Sequence, residues 1–240
     1  MIRFTVLPEV FAVFPDLAIV GAVATGLGNV SANPITTDRW HDAWRGARDL
    51  ASTHANAQSH SHVAPWREAM RAAGAPPKQF PSSIEAILRR AMKGGEPFTV
   101  SPLVDGYNAV SLDLVVPAGG FDLEGLPAGL TLRPTVAGDT FLALGDDEAL
   151  DVPAGEFGYA TGSTVLTRHI VWRQSHQAAI TLETRSVVLL SEILAGVETA
   201  SPGIAARVSE ALAGLLKDAL GRAAAPFRID EANPSTILRP

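Results

Sequence analysis

TLRPTV (131–136), TFLAL (140–144), EFGYATG (156–162) and TVLTRHIVW (164–172) decide the fold. Each run is short, rich in β-branched and aromatic residues, and bounded by Gly, Pro or Asp, which is how strands read. The stretch 178–194 continues the pattern. No helical segments alternate with these strands, which argues against a doubly wound parallel sheet. Upstream, residues 36–73 read as polar and helical, stopping near Gly74 and Ala75-Pro76-Pro77. Ser82-Ser83-Ile84-Glu85 then has the form of a capping box. The helix it opens carries Ile84, Ile87, Leu88 and Ala91 on one face and stops at Gly94. Residues 102–116 show no clear period. The N-terminus supplies two strands, near Ile2–Val6 and Ala18–Thr25. At the other end Ser201 is a cap and Pro202 a first helical residue for a helix over 202–221, closed by Gly221. The tail from Ala223 reads as irregular. The expectation is one α+β domain over 1–240, with a barrel-like mixed β core and surrounding helices.

Bulk composition narrows the function. The chain has 240 residues, 47% apolar and 18% charged, as in a soluble globular protein. A globule of this length buries roughly three quarters of its unfolded surface, so it needs no staple. Cysteine is absent, which excludes disulfides, thiolate metal sites and a cysteine nucleophile, and suits a reducing cytoplasm. Pro8, Glu9, Pro15 and Asp16 break the apolar N-terminus, so it does not read as a signal peptide, and Gly21, Gly26, Gly28, Asn29, Asn33 and Pro34 make the stretch from Leu17 to Asp38 read poorly as a membrane span. A net charge of −6 argues against non-specific nucleic-acid binding but leaves room for a local basic patch.

Self-contained catalytic motifs are missing. There is no H-E-x-x-H, P-loop, G-x-S-x-G or G-x-G-x-x-G. His54, His60 and His62 cluster, with His41 upstream, but sit in a segment that reads as a helix end and loop without a suitably spaced acid. A surface loop is preferred over a zinc site, and no metal or cofactor is expected. Arg89, Arg90 and Lys93 close a helix, where they complement its dipole or contact phosphates. Trp172-Arg173-Gln174 offers flat faces for a nucleotide, although alternation along a strand places Trp172 in the core. The densest candidate is SPLVDGYNAVSLDLVVPAGGFD (101–122). It gathers Asp105, Tyr107, Asn108, Pro117, Gly119, Gly120 and Asp122. Paired glycines let a backbone approach a ligand, and Asn offers both donor and acceptor. A capped helix and a Gly turn fit the same residues.

This segment resembles the B3/B4 editing domain of the β subunit of bacterial phenylalanyl-tRNA synthetase. Val104, Asp105, Asn108, Val110, Pro117, Phe121 and Asp122 match that family's run without a gap. Its free-standing members are similar also in S-x-E-A-x-L-R-R (Ser83 to Arg90), P-x-G-G-x-D, G-E-x-x-Y (Gly155 to Tyr159) and V-L-T-R-x-x-x-W-R-Q (Val165 to Gln174). The resemblance covers roughly residues 60–195. It implies a trans-acting deacylase that hydrolyses a mischarged aminoacyl ester by water attack, with the aminoacylated end of tRNA as partner and no DNA or membrane. It puts the pocket asparagine on Asn108 and the neighbouring threonine on Tyr107, a departure. The family's histidine falls on Gly119, a larger departure. The glycine-lined wall falls near Gly158, Tyr159 and Ala160. The glutamate that reads a tyrosine hydroxyl falls near Leu190 to Glu192, a strict count landing on Leu190. Asn108 and the backbone at Gly119–Gly120 would carry catalysis, Asp105, Tyr107, Pro117 and Glu192 would bind substrate, and Arg89, Arg90 and Arg173 would meet RNA. A non-catalytic module for a tRNA end, an amino acid or a nucleoside is the alternative. A hydrolase of a small ester or amide is a third reading.

Overall fold

A computed structural model describes residues 1–28 and 32–239. Strand β1 (Ile2–Val6), helix α1 (Pro8–Val13) and strand β2 (Ala18–Thr25) open the chain. Helices α2 (Pro34–Asp49), α3 (Ala64–Ala72), α4 (Ser83–Met92) and α5 (Pro102–Leu114) follow. Then come β3 (Gly119–Asp122), β4 (Leu130–Pro134), β5 (Thr140–Phe141), β6 (Leu150–Asp151) and β7 (Phe157–Thr161). Strands β8 (Thr164–Val165), β9 (Thr167–Arg168), β10 (Arg173–Gln174) and β11 (Ser186–Ile193) complete that body. Helices α6 (Ala195–Ala200) and α7 (Ile204–Gly214) and strands β12 (Ala225–Ile229) and β13 (Ser235–Leu238) end the chain.

The strands form a seven-stranded sheet in the order β13-β1-β4-β7-β8-β5-β6, a four-stranded sheet β12-β2-β11-β3 and a ribbon β10-β9. Two pairings, β1 with β4 and β5 with β8, are parallel, and the other ladders are antiparallel. The fold is α+β with a mixed β core, as expected, but the barrel does not close. Strand β3 ends the four-stranded sheet. Beyond it Asp122 N–H donates to the Ala178 carbonyl and the Gly120 carbonyl accepts from the Gln174 side chain, so no further strand adds there.

Local sequence explains most elements. Ser82 caps α4 by accepting from Glu85 N–H, but the Glu85 carboxylate pairs with Arg67 instead of turning back to the cap. Helix α5 is buried from Pro102 through Leu112, between the main core and a second cluster built on Trp40 and Trp44. A helix covered on every side has no polar stripe, so its sequence shows no period.

Two expectations at the C-terminal end are corrected. Ser201 follows α6, and α7 begins at Ile204 after Gly203 in the left-handed region (φ 80°). The Glu198 carboxylate, accepting from Gly203 and Ala205 N–H, does the work expected of a serine cap. The tail is not irregular. Strand β12 pairs with β2 and β13 with β1, and Pro226 is tolerated because β12 is an edge strand. Among the described residues no helix is long and apolar enough to cross a membrane.

Candidate functional site

A cavity of about 80 Å³ opens where β3, β7, the β9–β10 ribbon and β11 meet the start of α4. Pro117, Ala118, Gly119, Gly120 and Phe121 form one wall, and Tyr159, Leu190 and Glu192 the floor. Ile170, Val171, Trp172, Arg173 and Gln174, with Thr167 and Ser83, complete the lining. Leu190 and Glu192 share one face of β11 because side chains alternate along a strand. The strict alignment and its shifted version therefore reach the same cavity.

Gly119 and Gly120 do different work. A Cβ on Gly120 would lie 2.7 Å from Leu189 Cδ2, 2.8 Å from the Val188 carbonyl oxygen and 2.9 Å from Ile180 Cδ1, so this position must be glycine for β3 to seat on β11. A Cβ on Gly119 would meet nothing within 4 Å. Gly119 is thus an unfilled position on the cavity wall, where the resembling family carries an imidazole.

The electrostatic centre is Glu192. It is 4% exposed, and Tyr159 O–H donates to its Oε1 at 2.7 Å. Burial pushes the Glu192 carboxyl up to about 7, against the opposing effects of the Tyr159 hydrogen bond and its own backbone N–H. Burial and the neighbouring carboxylate push the Tyr159 hydroxyl well above its ordinary value. Glu192 consequently changes charge near neutral pH, with its phenol partner remaining a donor. At the rim Arg173 is exposed and lies 3.5 Å from Asp146.

The ribbon carries backbone strain. His169 (φ 48°) and Ile170 (φ 57°) are both left-handed, which is uncommon for a β-branched residue. Ile170 N–H donates to the Phe157 carbonyl at 2.7 Å, and the Ile170 carbonyl accepts from Thr167 Oγ1 at 3.1 Å. These bonds hold the turn that puts Ile170 and Val171 on the cavity wall. Trp172 also lines it, half-buried against Phe80 at 4.7 Å between ring centres, so it belongs to both core and site.

Pro117, Gly119, Gly120, Tyr159, Glu192 and Arg173 converge as described, from segments far apart in the chain. Other candidates lie elsewhere. Asn108 sits mid-helix in α5, buried, and does not line the cavity. Asp105 accepts from Val100 N–H at 2.9 Å and anchors the start of α5. Tyr107 packs into the main core. Gly158 permits close strand contact, since a Cβ there would lie 2.2 Å from the Thr167 carbonyl oxygen. Ala160 is buried in the ladder between Thr131 and Val165. Arg89 and Arg90 are exposed on the last turn of α4, and the Arg90 guanidinium lies 5.1 Å from the Phe98 ring centre. Gln174, read from sequence as part of a nucleotide-facing run, lines the cavity, as do Thr167, Ile170 and Val171, which no motif marked as site residues.

The three histidines lie in a separate groove of about 530 Å³, with ring centres 4.8 Å (His54–His60) and 5.1 Å (His60–His62) apart. His60 Nδ1 accepts from His62 N–H, and His62 Nδ1 meets the Leu114 carbonyl. Burial, then His62 and His54, lower His60 to about 4, leaving it neutral at pH 7. Among the described residues no group of three His, Cys, Asp or Glu is arranged to hold a metal ion.

The fold and cavity define an α+β protein with one small buried-acid pocket at a sheet edge. A family model described as the B3/4 domain matches residues 65–211, and the chain belongs to that family. The chain is also similar to a crystal structure of an N-terminal fragment of the phenylalanyl-tRNA synthetase β subunit from Pyrococcus horikoshii. The likeness has 8% identity, a TM-score of 0.49, and spans 95% of this chain and 54% of that fragment. No curated protein matches.

Proposed function

We propose that this protein hydrolyses an aminoacyl ester, the ester of an amino acid on the end of tRNA, in the cavity beside β3. The observation that carries the reading is the meeting of Pro117–Gly120, Tyr159 and Glu192 around one cavity. These positions come from the motifs that resemble editing domains, and family membership supports the same reading. The aminoacyl group enters between the glycine wall and the ribbon. Glu192, steadied by Tyr159, accepts a hydrogen bond from a donor on that group. Water attacks the carbonyl carbon directly, since no side chain here is paired as nucleophile and base. The developing negative oxygen needs fixed donors, one of which the edge of β3 can offer through the Gly120 N–H. Arg173 at the rim, and Arg89 and Arg90 farther along α4, meet the phosphates. Asn108 supports α5 rather than touching substrate.

A panel of mischarged tRNAs tests this directly. The expected result is multiple-turnover release of at least one amino acid, without selectivity for tyrosyl over phenylalanyl esters, because Gly119 brings no side chain to the pocket. A strong tyrosyl preference would reject the selectivity claim. A binding module for the same ligand is the second reading, favoured by the missing imidazole at Gly119. Saturable binding of an aminoacylated end with no release of amino acid would identify it.

A further inference from the structure

The outer edge of β3 is held by one backbone bond, Asp122 N–H to Ala178, and by one side chain, Gln174. β3 pairs with β11 on a single edge, with Gly119 opposite Leu190 and Gly120 opposite Leu189. In a strand the N–H and C=O of one residue point to the same side. The Gly120 carbonyl accepts from Gln174 Nε2 at 3.0 Å, and Asp122 N–H donates to Ala178, so both residues turn their polar groups outward. The Gly120 N–H therefore points to that free edge as well, where Gly120 and Gln174 both line the cavity. A carbonyl oxygen only accepts, so the orientation of the Gln174 amide is set with NH₂ toward β3. That amide keeps a second N–H beyond the one given to Gly120. The ribbon that carries Gln174 is itself held by the Thr167 pairing and by Leu144 N–H donating to the Gln174 carbonyl.

We infer that Gln174 is a catalytic residue that completes a two-donor cradle for the ester oxygen: the Gly120 N–H and the second N–H of its own amide. The inference rests on the hydrolase reading. In the reaction the water oxygen bonds to the carbonyl carbon, and the carbonyl electron pair moves onto the oxygen held in the cradle. On collapse the ester C–O bond breaks, and the leaving ribose oxygen takes up a proton from the attacking water. The free amino acid and the tRNA hydroxyl are the products. Donors in such a cradle are stronger partners for the charged oxygen than for the ground-state carbonyl, so their loss falls on turnover more than on binding.

The test compares wild type with Gln174→Met, which keeps the length but removes both N–H groups, and Gln174→Glu, which is isosteric but presents only acceptors when ionised. Each is assayed on the tRNA ester that wild type hydrolyses fastest, alongside a thermal melt. The expected result is a fall in kcat of about a hundredfold for both variants. KM should stay within about threefold and the melting midpoint should remain close to wild type. Unchanged kcat in a folded variant would overturn the cradle and leave the hydrolase reading intact. A loss of activity that only tracks a lowered melting midpoint would reduce Gln174 to a structural tie and also overturn it. Wild type inert on every ester would instead sink the hydrolase reading, and the cradle with it.

Discussion

The histidine groove holds about 530 Å³ and the cavity beside β3 about 80 Å³, yet the smaller space carries the unusual chemistry. In the groove, His60 and His62 bond to backbone or to each other, and His60 is held neutral by burial and by its neighbours. In the cavity, a glycine wall, a buried acid with an elevated pKa and a ribbon with left-handed residues at its turn share one lining. The groove draws on three distant stretches, residues 43–62, 112–115 and 200–207, just as the cavity draws on separate segments. Volume is therefore a poor guide to function here, and the chemical character of the lining, a buried acid beside a bare glycine, is a better one.

The largest expected effect separates two adjacent glycines. Gly120→Val forces two extra methyl groups and a Cβ into atoms already within 2.9 Å, and should cost at least about 3 kcal/mol of stability. Denaturant unfolding would show it, and a variant as stable as wild type would break the account of the β3–β11 contact. Gly119→Trp meets open space. Its melting midpoint should stay close to wild type while ester hydrolysis falls at least about a hundredfold, because the indole fills the cavity where reactants must be positioned. Retained activity in that variant would place the reaction elsewhere.

Glu192→Gln should lower turnover about tenfold, the scale of one hydrogen bond made in the transition state. Its effect on stability has a definite sign. The folded pKa of about 7 lies above the ordinary 4.5, so between these values the folded protein holds the proton more tightly. Wild-type stability attributable to Glu192 is thus present below pH 4.5 and lost as pH rises through 7, by roughly 3 kcal/mol. Relative to wild type, Glu192→Gln should gain stability across that window, as followed by urea melts at pH 5 and pH 8. An unchanged difference between the two pH values would contradict a buried, titrating Glu192. The smallest effect belongs to the groove. His60→Ala and His62→Ala should alter hydrolysis by less than about twofold, and a larger loss would erase the contrast between the two regions.

Part of this was legible beforehand. The N-terminal strands, the Ser82 cap and the late strands follow from local pattern and cap chemistry, which act over a few residues. Helix α5 was legible only as one of two readings, a capped helix, because burial on all sides removes the period that announces a helix. The C-terminal strands were hidden by Pro226 and by their partners' distance, since β12 and β13 pair with residues at the other end of the chain. For the site, resemblance marked Gly119, Gly120, Tyr159 and Glu192. It could not show that Asn108 lies off the cavity or that Gln174 reaches Gly120, because both facts depend on how α5 and the β9–β10 ribbon pack.

The pairing of β12 with β2 and of β13 with β1 has a consequence for synthesis on the ribosome. Each sheet receives an outer strand from residues 225–238, while the strands they cover are among the earliest made. During elongation β1 and β2 must wait with open ladder edges, and neither sheet is complete until residues 225–238 have emerged. Long-range closure of this kind slows folding and leaves exposed edges available to other nascent chains. A chain cut before Ala225 should consequently be recovered as aggregate.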